Sequence, residues 1–139
     1  VIDIYIILNG INLEFFKVSS QGKLLPNLQI ANSERIILFV DTLRPVKGLK
    51  YLIQAMNILI EKRVTNVKLI IVGDGEERES LEYLVQQLCL KDRVIFVGKV
   101  PNEKVPDYMA IANIFVLPSR RSSNCNLRSY GFWTPYYCY

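Results

Sequence analysis

From residue 36 onward the apolar positions switch period in a regular alternation. Ile36 to Val40 is a short continuous apolar run, the pattern of a strand covered on both faces, whereas Leu49, Leu52, Ile53, Met56, Leu59 and Ile60 fall on one side of a helix. Val67 to Val72 predicts a second strand, and Leu81, Leu84, Val85 and Leu88 a second amphipathic helix. Glu76 and Glu77 stand at the start of that helix and Lys91 just past its end, the arrangement a helix dipole favours. Val94 to Val97 reads as a third strand. Val105, Tyr108, Met109 and Ala112 mark a third helix, with Asn102 as its N-cap and Pro106 in its first turn. Ile114 to Leu117 predicts a fourth strand. Four short strands alternating with three helices imply right-handed crossovers, hence an α/β, Rossmann-like fold with a parallel sheet.

Ligands of such sheets bind at the carboxyl ends of the strands. The turns at Lys47-Gly48, Gly73 to Gly75, Gly98 to Pro101 and Pro118-Ser119 all fall on that edge. At the first of them, the N-terminus of the first helix favours an anion, and Lys47 adds a full charge. The local pattern leaves two roles open for this lysine, a phosphate seat or a hydrated turn residue.

Ahead of this unit, Val1 to Phe16 reads as a strand with a turn at Asn9-Gly10, and Ser19 to Ser33 as a polar linker carrying Gly22 and Pro26. The chain thus divides into residues 1–33, a domain over 34–119, and a tail over 120–139. With 139 residues, half of them hydrophobic, it suits a single domain with a real core. No apolar stretch reaches the ~18 residues of a membrane span, and Val1 to Leu8 lacks the basic flank and cleavage site of a signal peptide, so a cytoplasmic protein without a transmembrane segment is expected.

Histidine is absent, which excludes Ser-His-Asp catalysis and His-dependent metal sites and leaves carboxylates, lysine, backbone amides or substrate to do any chemistry. The three cysteines, Cys89, Cys125 and Cys138, have no zinc or disulfide spacing, and Cys89 at a helix end reads as a buried small hydrophobe. The formal charge of +4 belongs to the tail: removing Arg120, Arg121 and Arg128 from 17 Lys and Arg leaves 14 against 13 Asp and Glu. The body therefore has no basic stripe, and nucleic acid is not an expected partner.

Five segments in fixed order resemble one family: Asn9 to Phe16, Phe39 to Gly48, Ile71 to Gly75, Val97 to Pro101, and Phe115 to Ser119. Together they are similar to the C-terminal lobe of the group 1 glycosyltransferases of GT-B fold, over nearly all of residues 7–119. In that family this lobe binds the nucleotide-sugar donor and a separate N-terminal lobe binds the acceptor. The resemblance implies retaining sugar transfer from a UDP- or GDP-linked donor, with no cofactor and no essential metal. Lys47 then becomes the candidate catalytic residue, stabilising negative charge on the leaving diphosphate. The resemblance places Thr42, Arg44, Lys47, Gly48, Gly73, Asp74, Gly75, Val100 and Ser119 at the donor. Asp74 could equally cap the following helix, and Ser119 could cap a turn instead of donating to a phosphate.

The chain also departs from the family. Asp41 and Thr42 stand where glycine and arginine are usual, and a carboxylate at Asp41 would repel a diphosphate. Leu8 and Asn12 replace the usual proline and aspartate. Residues 120–139 lack the two glutamates that follow the fourth strand in the family, and carry Tyr130, Phe132, Trp133, Tyr136, Tyr137 and Tyr139 without periodicity. A basic, aromatic tail could stack on single-stranded nucleic acid. A frameshift explains it better: codons exist for Ser129 to Tyr139 that, read from the second base, give Ala-Met-Ala-Ser-Gly-Leu-Pro-Ile-Ile-Ala, which resembles the family's next segment. The shift would lie near Arg120 to Asn124. With the acceptor lobe and both glutamates missing, the chain alone is expected to be inactive, and exposed sheet surface to favour self-association. The alternative is a non-catalytic nucleotide-binding or interaction module. A nucleotide-sugar epimerase, which shares the two-lobe architecture, would lack its usual histidine.

Overall fold

The structure is a computed structural model that describes residues 28, 30, 31 and 33–119. The strand and turn expected before residue 17 and the tail over 120–139 lie outside the described residues. Strands β1 (Arg35–Val40), β2 (Val67–Val72), β3 (Val94–Gly98) and β4 (Ile114–Phe115) alternate with helices α1 (Leu49–Glu61), α2 (Arg78–Gln87) and α3 (Val105–Ile111). Short 3-10 turns at Pro45–Lys47 and Asn102–Lys104 lead into α1 and α3. All strand pairs are parallel, in the order β3-β2-β1-β4.

Strand parity explains why both faces are apolar. Ile37 and Phe39 of β1 and Val67, Leu69 and Ile71 of β2 pack with Leu49, Leu52, Ile53 and Met56 of α1 and Leu81 and Val85 of α2. Ile36 and Leu38, with Ile70 and Val72, face the other way and meet Tyr108 of α3. Leu38, Phe39, Leu69, Ile70 and Ile71 are wholly shielded from solvent. At about 1.5–3 kcal/mol for each fully buried large apolar side chain, these two central strands contribute a large share of the burial that stabilises the domain, with Leu43, Leu49, Ile53, Met56 and Leu90 adding the rest of the fully buried set. The alternation also fixes the topology: α1 and α2 cover one face, and the chain then crosses to the other face through α3 before adding β4 beside β1. The strand order therefore reverses between β1 and β4, the position where doubly wound sheets open a crevice.

Four local expectations need correction. β4 pairs only through Ile114 and Phe115, against Ile37 and Leu38, with Val116 N–H adding one more bond to Leu38 O at 2.9 Å. Pro118 constrains Leu117 and has no N–H of its own, so the ladder stops early. Asn102 does not cap α3; it lies within the 3-10 turn, whose start has no side-chain cap. Cys89 is exposed rather than buried and adopts φ 55°, while its neighbour Leu90 fills the core. Ile30, inside the segment read as polar linker, is buried against Ile36 and Leu38 and belongs to the second apolar cluster.

Candidate functional site

The carboxyl end of β1 runs directly into the candidate phosphate turn. After Val40 the chain passes through Asp41 to Arg44, makes the 3-10 turn Pro45–Lys47, and enters α1 through Gly48 at φ 69°. No side chain caps α1 and no acid occupies its first turn, so nothing within the helix itself offsets the positive end of its dipole. A Cβ on Gly48 would overlap the carbonyl oxygen of Pro118. The α1 entrance and the Pro118-Ser119 turn after β4 are thereby brought together at the reversal of strand order.

Lys47 is not an isolated cation. Its Nζ lies 2.6 Å from Asp41 Oδ2, and the two side chains keep 20% and 22% of their surface exposed. The other oxygen of Asp41 accepts from the Thr42 backbone N–H at 2.7 Å and from Thr42 Oγ1 at 3.2 Å. Lys47 and Thr42, two of the predicted donor residues, thus both engage the carboxylate that stands where glycine is usual. Arg44 is exposed, in extended backbone at the head of the 3-10 turn. Gly48 is buried.

The glycines after β2 serve a tight backbone junction. Gly73, at φ 137°, has no room for a Cβ beside the carbonyl of Asp41, and a Cβ on Gly75 would come 2.5 Å from Leu43 O. Leu43 N–H donates to Asp74 O at 3.1 Å, Glu77 N–H to Leu43 O at 3.1 Å, and Gly73 N–H to Gly98 O at 2.8 Å. The loops after β1, β2 and β3 are in this way laced side by side. The close approach that Gly73 and Gly75 permit in this structure is to a neighbouring loop.

Asp74 takes neither a helix cap nor a solitary position. Its Oδ1 accepts from Gly75 N–H at 2.9 Å and its Oδ2 pairs with Arg78 at 3.4 Å, while Glu77 occupies the α2 N-cap without a side-chain bond. Arg78 also bonds Glu82 at 2.9 Å, and its Nη1 would lie 3.2 Å from a Cβ on Gly98, which places it against the end of β3. The Glu82 hydrogen bond, with the Asp74 and Glu82 charges, outweighs burial and pushes the Arg78 pKa up. Arg78 is a site-edge residue the sequence did not single out, although an arginine four residues after an aspartate on a helix start is a visible pairing signal. Val100 is half-buried in the second apolar cluster beyond β3. Ser119, the last described residue, is half-buried beside the α1 entrance. No group of three or more acidic, Cys or His side chains suited to a metal is present among the described residues. No helix among them is long and apolar enough to cross a membrane.

Known proteins share both this sequence and this architecture. Residues 20–125 match the family described as Glycosyl transferases group 1. An uncharacterized glycosyltransferase of Methanocaldococcus jannaschii is 35% identical over 118 residues, 82% of this chain and 30% of that protein. The N-acetyl-alpha-D-glucosaminyl L-malate synthase of Bacillus anthracis is 30% identical over 121 residues, 87% of this chain and 31% of that protein. Among solved structures, Anabaena Alr3699/HepE in complex with UDP-glucose is similar with a TM-score of 0.69 and 29% identity, over 80% of this chain and 30% of that one. The C-terminal domain of the group 1 family protein LpcC of Francisella tularensis, at 21% identity and TM-score 0.62, covers 79% of this chain and 59% of that one and shares the fold. The chain spans about 30% of the length of the curated relatives it matches. The α/β sheet, the turns at its carboxyl edge and the matched sequence lead to one conclusion: this chain belongs to the group 1 glycosyl transferases.

Proposed function

We propose that these residues form the nucleotide-sugar-binding portion of a retaining glycosyltransferase, and that the donor diphosphate sits over the start of α1. One observation carries this: the uncapped N-terminus of a 13-residue helix, with Lys47 beside it, meets the turn after β4 where the strand order reverses. Support comes also from Alr3699/HepE, whose similar structure holds UDP-glucose. Cleaving the bond between the anomeric carbon and the diphosphate leaves an extra negative charge on the leaving group. A helix dipole and a lysine stabilise that charge most when it is largest, which lowers the barrier rather than merely tightening binding.

In this reading Gly48 lets the phosphate approach the backbone, Thr42, Arg44 and Ser119 rim the diphosphate, and Gly73 to Gly75 and Val100 face the nucleoside. The acceptor site calls on residues beyond these 139, so the chain alone binds donor without turning it over, in the cytoplasm, with no cofactor or essential metal. Titration calorimetry with UDP- and GDP-sugars tests this. Binding by the 139-residue chain that weakens about tenfold in Lys47→Ala is the expected result, the scale of one hydrogen bond to a charged group. No heat at millimolar donor by a folded chain would overturn the donor reading. Binding by this chain that adds no transfer when the remainder of the enzyme is supplied would instead favour a non-catalytic nucleotide module.

A further inference from the structure

The ion pair at the α1 entrance has a fixed member and a movable one. Asp41 is held at three points. Its N–H bonds Val72 O at 3.2 Å, its carbonyl is pressed by Gly73, and its Oδ1 is bonded by Thr42. Lys47 reaches it through a flexible four-carbon stem, and its Nζ turns back 2.6 Å from Asp41 Oδ2. A diphosphate arriving at α1 therefore meets an ammonium already engaged by a carboxylate whose other oxygen is tied to Thr42.

We propose that Asp41 is an affinity-setting residue that competes with the donor diphosphate for Lys47. It acts through the lysine and is a positioning residue. The inference rests on the donor reading above and deepens it. Binding requires the ammonium to leave Asp41, so the apparent affinity falls by the fraction of molecules in which Lys47 is released. A partly exposed ion pair holds its lysine by roughly 1 kcal/mol at most, the equivalent of a fivefold equilibrium, so Asp41 weakens diphosphate binding by up to about fivefold. The effect falls on the phosphates, because the ammonium that Asp41 holds lies at the α1 entrance.

The test compares UDP, inorganic pyrophosphate and uridine by titration calorimetry on the full chain. Asp41→Asn keeps a side-chain oxygen for the Thr42 N–H, and circular dichroism verifies its fold. It is expected to tighten UDP and pyrophosphate about fivefold and to leave uridine unchanged. In a Lys47→Met background the same substitution is expected to change UDP affinity less than twofold. UDP binding unchanged or weakened by Asp41→Asn, or the full gain persisting without the lysine, overturns the proposal while the donor reading stands. Absence of UDP binding in every folded variant overturns both. If Lys47→Met binds too weakly for the cycle, the acylation rate of Lys47, followed by peptide mass spectrometry, replaces it. A faster rate in Asp41→Asn supports the competition, and an unchanged rate overturns it.

Discussion

Glu34, at the amino end of the sheet and opposite the carboxyl edge, shows how single polar residues hold the strand starts in register. Its carboxylate accepts from Ala31 N–H at 2.9 Å and pairs with Lys68 at 3.3 Å and Arg93 at 3.6 Å, while Arg93 also donates to Thr65 O. Burial pushes this carboxyl up, but the Ala31 hydrogen bond and the Lys68 and Arg93 charges outweigh it and leave its pKa below the usual 4.5. The folded state then holds its proton less tightly than the unfolded chain. The resulting stabilisation is complete above pH 4.5 and is lost as pH falls through the lower, folded value. Glu34→Gln is expected to cost about 1 kcal/mol at pH 7, with the difference from the parent shrinking toward zero in strong acid, measured by urea denaturation at both pH values. At the other edge, the position of Lys47 at the α1 entrance was legible because a lysine before a helix-opening glycine is a local pattern. Its engagement by Asp41 was not, since the direction of a flexible side chain depends on how the turn folds back on the strand end.

Two helices end in a way that composition concealed. α1 closes with Arg63 N–H on Ile60 O at 2.9 Å and Val64 N–H on Leu59 O at 3.0 Å, and α2 closes with Cys89 N–H on Gln86 O at 3.1 Å and Leu90 N–H on Val85 O at 2.9 Å. Both are Schellman closures, whose left-handed residue is usually glycine. Here it is Arg63 at φ 63° and Cys89 at φ 55°. Cysteine's usual behaviour as a small hydrophobe suggested a buried Cys89, while Leu90, one residue on, carries the apolar contact with Val85. Arg63→Gly and Cys89→Gly are each expected to stabilise the fold by about 0.5–1 kcal/mol, the left-handed penalty less the added chain entropy of glycine, read as a rise in melting temperature. Strands and helix faces, by contrast, were legible almost throughout, because two-sided burial of β1 and β2 and one-sided burial of α1 leave unmistakable periods. β4 was overextended, because an apolar run does not reveal that its ladder with β1 ends at Phe115, ahead of Pro118.

Across the molecule as a whole, the described residues cover the two faces of the sheet unequally. α1 and α2 span one, whereas the seven-residue α3 serves the other, where Ile95, Val97, Met109 and Phe115 are only partly buried. Self-association through this face is the expected behaviour at high concentration; a compact monomer stable to dilution in size-exclusion chromatography would refute it. The frameshift proposed for residues 120–139 makes a separate, purely genetic prediction: the coding DNA over Ser129 to Tyr139 permits the family-like reading from its second base. Codons that forbid it would end that proposal. Neither question was open to periodicity alone, since coverage of a sheet face depends on crossover direction and a displaced frame leaves no physical pattern in the chain.

The lacing of the loops after β1 and β2 also has a kinetic side. Leu43 donates to Asp74 O and accepts from Glu77, and the glycines leave no slack between the strands of backbone. Neither loop then opens to solvent without breaking the bonds of the other. In native-state hydrogen exchange the amides of Leu43 and Glu77 should lose protection in a single shared event, with one opening free energy, so that the carboxyl edge of the sheet breathes as one hinged plate and not as independent flaps.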